Sequence, residues 1–218
     1  MCQREINGLS VQQHMIGWDC GLIEVYGTRS GTEFYVWPTY QQKLIGVREP
    51  LMALFPPGKG GGEAVDYGYK GKGITNHLLI EGNGLPLALV ATSAASSERD
   101  QVSVLLGKVR VYKGCGRPKK CPHEIHADPG YDSKALRLFL RNKGLRPLIA
   151  KRVWKNRKQS RGRKIPPSTF RWKVERCFSW LQRRFRRLTV RWERRLKYWE
   201  GFLQLSVVML WVDKIISG

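Results

Sequence analysis

IHADPGYDSKALRLFLRNKGLRPLIA, residues 125–150, is the stretch that decides the fold. Its first residues, 125–128, are predicted to form a short strand, and its last residues, 145–150, a second one. A helix between two such strands makes a crossover that is normally right-handed, so the two strands are expected to be parallel. Asp128 then lies at the carboxyl end of its strand, where open α/β sheets place their chemistry.

The helix inside this stretch is predicted from its caps and from its apolar face. Asp132 and Ser133 can cap its amino end, and Gly144 is expected to end it. Its apolar residues recur at helical spacing, and they are Ala135, Leu136, Phe139 and Leu140.

Two apolar runs further upstream surround a glycine-containing turn. Residues 74–80 and 85–92 are each predicted to be strands, with Glu81-Gly82-Asn83-Gly84 as the turn between them. The sequence therefore predicts a β-hairpin ahead of the parallel crossover.

Three further segments are predicted from turn and cap residues. A helix is expected over roughly 98–106, with Ser96 and Ser97 as its caps. The glycines at 58–62 follow two prolines and are expected to form a flexible, basic break, and the basic segment 151–167 is expected to be a mobile loop.

A long basic helix is expected to begin near Ser168 or Thr169. Glu175 lies on the flank of its apolar stripe. The later apolar stretch, 202–216, is too short and too polar to span a bilayer, so it is expected to be a buried terminal helix. These elements together predict an α/β domain, in which a mixed sheet has flanking helices and a long basic C-terminal helix. The apolar stripe of the long basic helix consists of Val174, Phe178, Leu181, Phe185 and Leu188.

The composition indicates a polyanionic partner. The 218 residues include 39 Lys and Arg against 17 Asp and Glu, a formal net charge of +22. Such a charge opposes compaction through self-repulsion. Nucleic acid is the first candidate, an anionic membrane surface the second and a ribosomal-type scaffold the third. Five scattered cysteines favour reduced thiols, and the first 20 residues show no signal peptide, so the protein is expected to be soluble and cytoplasmic.

Basic and aromatic residues alternate in the last third of the chain. Residues 151–200 contain 19 Lys and Arg against three acids, with five tryptophans between them. Basic side chains neutralise phosphates and aromatic rings stack on unpaired bases, whereas the alternative is a solvated charged face with core tryptophans. Lys70 and Lys72, beside glycines, are further phosphate-binding candidates. The other DNA-binding candidates are Arg171, Trp172, Arg183, Arg184, Arg186, Arg187, Arg194 and Arg195.

Two carboxylates are candidates for metal-dependent phosphoryl transfer. Asp128 ends a strand and Glu175 lies beside the buried stripe of a helix. Carboxylate oxygens are the ligands that Mg²⁺ prefers, and two ions together activate the attacking oxygen and stabilise the leaving one. The residues alone leave structural alternatives open: Asp128 forms the turn before Pro129-Gly130, and Glu175 forms an ion pair with Arg171 or a solvated contact with Ser179.

Other candidate ligands are interpreted as structural. The spacing of Cys115, Cys121, His123 and His126 matches no common structural zinc site, so an ordinary loop is favoured. His77 is expected to be a packing residue within its strand.

Two motifs resemble segments of DDE insertion-sequence transposases. Residues 126–133, HADPGYDS, look like the segment A-D-(K/R)-G-Y-D-S, and residues 171–181, RWKVERCFSWL, resemble R-W-x-V-E-R-x-F-x-W-L. The resemblance covers about 56–212 and implies a ribonuclease H-like fold, DNA transposition and a divalent metal, Mg²⁺ or Mn²⁺. It implies that Asp128 is the second catalytic acid and Glu175 the third, both of them metal ligands.

The first acidic residue of the family pattern has three candidates. Asp66, which follows the glycines, is taken as the candidate catalytic residue, and Glu49 and Glu81 are the other acids nearby. Arg171 and Arg183 are expected to contact phosphate or the transition state.

Three functions remain open on this basis. The first is a transposase that cuts transposon ends and joins them to target DNA, as a homodimer on DNA in the cytoplasm at the nucleoid. The others are a non-catalytic DNA-binding remnant and a ribonuclease H-like nuclease. Residues 1–55 match the pattern poorly, and 56–218 are assigned to the catalytic domain.

Overall fold

The computed structural model describes three early strands by their backbone and then residues 48–109, 122–152 and 170–217. Side chains are described from Pro50 onwards. The early strands pair antiparallel in chain order as a separate sheet, and they are β1 (His14–Ile16), β2 (Ile23–Thr28) and β3 (Gly31–Val36).

The main sheet consists of six strands, which are β4 (Arg48–Leu54), β5 (Asp66–Gly68), β6 (Gly71–Ile80), β7 (Pro86–Ser93), β8 (Glu124–Ala127) and β9 (Arg146–Ile149). Five of them follow the order β7-β6-β4-β8-β9, and the short β5 pairs with the first residues of β6. β4 is antiparallel to β6 and parallel to β8, and β8 is parallel to β9. β4 therefore lies where the antiparallel and the parallel halves of the sheet meet.

Helices cover both faces of this sheet, and they are α1 (Gln101–Lys108), α2 (Lys134–Asn142), α3 (Arg171–Arg184) and α4 (Leu196–Ile216). α1 and α2 pack on the face that contains Leu51, Ile125 and Ala127. α3 and α4 pack on the opposite face, where Leu78 is buried and Met52 is partly buried. Successive strand residues point to opposite faces of a sheet, so Leu51 of β4 packs against α1 and α2, whereas Met52 packs on the face covered by α3 and α4.

The predicted crossover and hairpin are both confirmed. β8, α2 and β9 form the parallel unit, in which Ser133 stands at the N-cap and Gly144 has a positive φ of 76° after the helix. β6 and β7 form the hairpin around the predicted turn. Three antiparallel strands followed by two parallel ones, with helices on both faces, confirm the ribonuclease H-like mixed sheet.

Two predicted helices have different bounds in the structure. α1 begins at Gln101 with Asp100 as its N-cap, not at Ser96 or Ser97, because the Ser96 amide closes a turn onto the Ser93 carbonyl. α3 begins at Arg171, and residues 168 and 169 lie outside the described residues. α3 ends at Arg184 because Phe185 leaves the helical conformation.

The long basic helix and the terminal helix that the sequence predicts are both present, as α3 and α4. α3 carries the basic residues, whereas α4 is longer and mostly apolar, so the terminal helix itself is not basic. α4 is buried along one side by Trp199, Leu203 and Leu210, and it exposes other apolar residues on the opposite side. The prediction of a buried terminal helix is therefore right for one face of α4. Among the helices that the structure describes, none is long and apolar enough to cross a membrane.

The glycine-rich break is held in place, contrary to the predicted flexibility. A Cβ added at Gly60 would lie 2.2 Å from the carbonyl oxygen of Trp192, and one at Gly62 would lie 2.2 Å from that of Arg194. The Glu63 amide donates to the Arg194 carbonyl at 2.8 Å. These glycines therefore permit close backbone contact with the segment before α4.

The predicted division at residue 55 falls next to the centre of the main sheet. β4 belongs to residues 1–55, yet it pairs with both β6 and β8. The division into two domains stays a prediction. Strand β4, however, belongs to the main sheet. The predicted loop 151–167 lies outside the described residues after Arg152.

Candidate functional site

Asp128 stands directly after β8 and has contacts in two directions. Its Oδ1 accepts a hydrogen bond from the Gly130 amide at 3.2 Å, so Asp128 caps the short helical turn Pro129–Tyr131. Its Oδ2 lies 3.7 Å from Nη1 of Arg171, and 43% of the side chain is exposed. The turn-forming role of Asp128 is therefore confirmed, and one carboxylate oxygen faces α3.

Glu175 lies on the first turns of α3 and pairs with Arg171 on the same helix. Nε of Arg171 donates to Oε1 of Glu175 at 2.9 Å, which confirms the expected ion pair. One guanidinium thus contacts both carboxylates, and the structure brings Asp128 and Glu175 together around it. All three side chains are substantially exposed, so these ion pairs contribute little to folding stability. In this structure, Arg171 therefore contacts the two acids.

Met52 occupies the position beside Asp128 on the neighbouring strand. Leu51 pairs with Ala127 in the parallel register of β4 and β8, so the next residues along the two strands are Met52 and Asp128. Leu51 and Ala127 face α1 and α2. By alternation Met52 and Asp128 face α3, and Met52 packs against the apolar cluster that contains Val174 of that helix. A methionine therefore lies where a third acid could approach the pair.

The described residues contain no cluster of three or more His, Cys, Asp or Glu side chains that could hold a metal ion. The undescribed segments 110–121 and 153–169 contain no Asp or Glu in the sequence. Glu49 pairs with Ile125 in the register, three residues before Asp128 and hence roughly 10 Å from it along the strand. Two carboxylates alone are thus brought together in the described part of the chain.

Asp66 is not at this site, contrary to the sequence-based assignment. It lies on β5 opposite Gly73, whereas Met52 is opposite Leu78 of the same strand β6. These partners are separated by about 17 Å at 3.4 Å per residue. The carboxylate of Asp66 accepts from the Tyr67 amide at 2.7 Å and from Oγ of Ser93 at 3.3 Å. Asp66 therefore fixes the base of the β5–β6 hairpin.

Glu81, the third candidate acid, is buried in the turn of the β6–β7 hairpin. Its Oε1 accepts from the Leu85 amide at 3.5 Å, and burial raises the pKa of its carboxyl above the ordinary value. Nζ of Lys173 reaches the Gly82 carbonyl, and Arg176 donates to the Asn83 carbonyl at 3.2 Å. This turn anchors α3 on the sheet.

Besides Arg171, the predicted DNA-binding arginines fall into two groups, and all of them are exposed to solvent. Arg184 pairs with Asp213, and Nε of Arg187 donates to Glu193 at 2.6 Å. The remaining arginines present their side chains to solvent around the end of α3 and the start of α4. This exposed group consists of Arg183, Arg186, Arg194 and Arg195, and Lys70 and Lys72 are exposed on the β5–β6 hairpin.

Trp172 is exposed, but one side of its ring is already occupied. The guanidinium carbon of Arg176 lies 4.7 Å from the ring centroid of Trp172 and 4.7 Å from that of Trp180. The three side chains form a stack along α3, in which cation–π attraction holds the arginine between two rings. Trp172 is 52% exposed and keeps a free surface beside this stack.

Two residues with structural roles were missed by the sequence interpretation. Arg191 belongs to the basic run but is fully buried, and its Nε donates to the Glu193 carbonyl at 2.9 Å. Asp132 accepts from Nη2 of Arg137 at 2.7 Å and from the Arg152 amide at 3.0 Å, so it ties α2 to the end of β9. A single buried arginine in a basic run has no sequence signal, whereas Asp132 was recognised only as a cap.

The histidines have ordinary environments where the structure describes them. His77 is buried and its Nε2 lies 2.8 Å from Oγ1 of Thr92, which confirms a packing role. Burial lowers the pKa of His77 to about 4. His126 packs against the ring of Phe170 at 5.2 Å, while Cys115 and Cys121 lie outside the described residues.

Comparison with known proteins identifies relatives of one kind. The transposase DDE domain family matches residues 38–210. A candidate transposase for insertion sequence element IS402 from Burkholderia cepacia is 35% identical over 139 residues, which cover 63% of this chain and 62% of that protein. A candidate transposase for insertion sequence element IS6501 from Brucella ovis is 29% identical over 140 residues, which cover 62% of this chain and 95% of that protein.

A solved structure of the piggyBac transposase synaptic complex with hairpin DNA shows a weaker likeness. It aligns with 54% of this chain and 27% of that chain, with a TM-score of 0.33 and 16% identity. A likeness at that level supports no conclusion about this chain. The family match, in contrast, extends over most of the residues and includes β4, both motifs and the acidic pair. The chain therefore belongs to the transposase DDE domain family.

Proposed function

We propose that this chain binds DNA as a transposase domain, with Asp128 and Glu175 facing the DNA backbone. The observation that supports this most directly is the contact of both carboxylates with Arg171, at the edge of the sheet and beside a basic helix. The chain spans 62% of the Burkholderia relative's length, and a catalytic form of this function would also cut and join DNA.

The exposed arginines at the end of α3 and the start of α4 are proposed to hold the DNA backbone. Arg183, Arg186, Arg194 and Arg195 are solvent-exposed and lie on consecutive segments, and the whole chain carries a net charge of +22. Neutralised phosphates release counterions, so binding is expected to weaken steeply with salt. The chain is proposed to act in the cytoplasm at the nucleoid, where its DNA is found.

Members of this family use a divalent metal ion. Mg²⁺ or Mn²⁺ would match Asp128 and Glu175 in ligand chemistry, because both side chains offer oxygen ligands. A pair of ions needs several such ligands around two centres about 3.5–4 Å apart. Here the third position is filled by Met52, whose thioether is a poor ligand for a hard cation. The residues present therefore do not fit a pair of ions.

The position of Met52 decides between a catalytic and a non-catalytic form of this function. Met52 favours a DNA-binding transposase domain that holds DNA but does not itself cut it. A ribonuclease H-like nuclease, the other alternative, would cut without joining. The three functions differ in their products, so one set of DNA substrates distinguishes them.

The test combines binding and strand transfer with the full chain. Labelled transposon-end DNA is titrated at several salt concentrations and then incubated with Mg²⁺ or Mn²⁺ and target DNA. We expect salt-dependent binding without cleavage. Joined products that disappear in Asp128→Asn would establish the catalytic transposase, and cut products without joining would establish the nuclease. Absence of any DNA binding would reject all three functions.

A homodimer on DNA is proposed as the working assembly. α4 exposes Phe202, Leu205, Met209 and Ile216, which recur at steps of three, four and seven residues. Such spacing places them on one stripe of the helix, and stripes of this kind pack against another helix. A second copy presents the same stripe, which suits a two-fold symmetric contact.

A further inference from the structure

The tip of the β5–β6 hairpin exposes two aromatic rings between basic side chains. Tyr67 is 73% exposed and Tyr69 is fully exposed, the largest exposed fraction among the exposed apolar and aromatic residues of the described chain. Gly68 pairs with Gly71, so Tyr69 and Lys70 alone form the two-residue turn. The apolar faces of such an exposed ring stay in contact with water until a partner covers them, so covering them is favourable.

The base of this hairpin is fixed from several sides. The Asp66 carboxylate bonds to the Tyr67 amide and to Ser93, and the Gly58 amide donates to the Lys72 carbonyl at 3.1 Å. A Cβ at Gly68 would lie 2.6 Å from the Ala94 carbonyl oxygen, so the hairpin lies directly against the end of β7. The rings are therefore presented by a supported element, which lowers the entropic cost of binding through them.

The charges beside the rings select the chemical class of the partner. Lys70 and Lys72 are both exposed, and Nζ of Lys72 lies 5.9 Å from the ring centroid of Tyr67. Asp66, the acid of the hairpin, is turned towards the Tyr67 amide and Ser93 at its base. Cations for phosphates combined with an exposed aromatic ring, here Tyr69, are the features that bind unpaired nucleic-acid strands.

The hairpin is also within reach of DNA at the acidic pair. β6 connects the two places, because Lys72 lies at the hairpin and Leu78 lies opposite Met52, the neighbour of Asp128. Six residues of strand span about 20 Å, which is about six nucleotide steps of 3.4 Å. One DNA molecule can therefore contact both places.

We propose that Tyr69 stacks on an unpaired base of the bound DNA, while Lys70 and Lys72 contact the adjoining phosphates. The proposal rests on the proposed function in one respect, that the chain binds DNA. It adds a site for single-stranded DNA outside the acidic pair and outside the exposed arginines.

The experiment compares a duplex that ends in a short single-stranded overhang with a blunt duplex of equal length. Binding of the full chain is followed by fluorescence anisotropy, and 2-aminopurine in the overhang reports stacking. The variants are Tyr69→Ala and Tyr69→Phe, which keeps the ring. The matched control is Tyr198→Ala, since Tyr198 on α4 is also exposed and has Lys197 5.2 Å from its ring.

We expect Tyr69→Ala to weaken binding of the overhang DNA about tenfold and to abolish the change in 2-aminopurine fluorescence. Binding of blunt DNA stays unchanged, Tyr69→Phe behaves as the parent, and Tyr198→Ala binds both DNAs normally. Equal affinity of Tyr69→Ala and parent for the overhang, or an equal loss on blunt DNA, overturns the proposal and leaves DNA binding intact. If the parent binds neither DNA, the proposed function fails together with this site.

Discussion

Met52 lies beside Asp128, on the adjacent parallel strand and on the same face of the sheet. This relationship places an apolar side chain at the position from which a third carboxylate could join Asp128 and Glu175. The chain belongs to the transposase DDE domain family because the family matches most of its residues, and the motifs are consistent with this. Its capacity to hold two metal ions is a separate property, which depends on the residue at position 52.

Neighbouring arginines on α3 should contribute unequally to DNA binding. Arg183 is exposed, whereas Arg184 pairs with Asp213 and is partly neutralised. We expect Arg183→Ala to weaken binding and to reduce the slope of log Kd against log salt by about one. Arg184→Ala serves as the control and should change the slope less. Equal slopes for the two variants would show that the ion pair with Asp213 does not persist in the complex.

Gly62 should be irreplaceable because two constraints act on it together. Its φ is +98°, and a Cβ would lie 2.2 Å from the Arg194 carbonyl oxygen. Gly62→Ala is expected to lower the free energy of unfolding by about 3 kcal/mol or more. Gly61, with φ +62° and no neighbouring atom within 4 Å of an added Cβ, is the control, and Gly61→Ala should cost about 1 kcal/mol.

Urea denaturation of the two variants measures this difference directly. A similar midpoint for Gly61→Ala and Gly62→Ala would mean that the loop does not pack closely on the segment before α4. That result would restore the flexible break that the glycine content alone suggested.

Features whose residues lie within one continuous stretch of sequence were predicted, whereas positions that depend on the pairing of distant strands were not. The β8–α2–β9 unit was predicted because its strands, caps and apolar face all lie within one continuous stretch. Asp128 and Glu175 were found because recognisable motifs surround them. Asp66 was assigned to the site by its nearness to the glycines in sequence, although strand pairing carries it to the opposite end of β6.

Met52 could not have been recognised from sequence, because its relation to Asp128 depends on the pairing of strands about 75 residues apart in the chain. Arg191 is similar, since its burial depends on the glycine-rich loop that packs against it. β1 to β3 were not predicted because residues 1–50 show no sustained apolar period.

His77 should make the protein less stable in mild acid. Its pKa falls from an unperturbed 6.5 to about 4 in the folded state, because burial disfavours the charged ring. The unfolded chain therefore takes up a proton below pH 6.5 before the folded one does. Stability is unaffected above this value and is lost as pH falls towards 4, by about 2 kcal/mol between pH 7 and pH 5.

The measurement is the free energy of unfolding of parent and His77→Gln at pH 7 and at pH 5. The glutamine variant does not titrate, so its loss between the two pH values should be about 2 kcal/mol smaller. Equal losses in both proteins would mean that His77 can be protonated without unfolding.

The exposed stripe of α4 should mediate self-association. Leu205 is 57% exposed at its centre, and Leu205→Glu would place a charge in the contact between two copies. We expect the parent to form dimers in light scattering and the variant to be monomeric with unchanged thermal stability. Lys214→Glu changes the charge in the same direction at an exposed position of α4 away from the stripe and should leave the dimer intact. A monomeric parent at all concentrations would contradict the proposal.

Mn²⁺ binding by the parent and by Met52→Asp shows whether Met52 prevents a pair of ions from binding beside Asp128 and Glu175. Binding is measured by electron paramagnetic resonance and calorimetry on the full chain. The added carboxylate would stand beside Asp128 and face α3, and Met52→Asn controls for the loss of the methionine. We predict that the parent and Met52→Asn bind no pair of ions, whereas Met52→Asp gains Mn²⁺ affinity that Asp128→Asn removes. Binding of two coupled Mn²⁺ ions by the parent, or no gain in a folded Met52→Asp protein, would show that Met52 does not decide metal binding at this site.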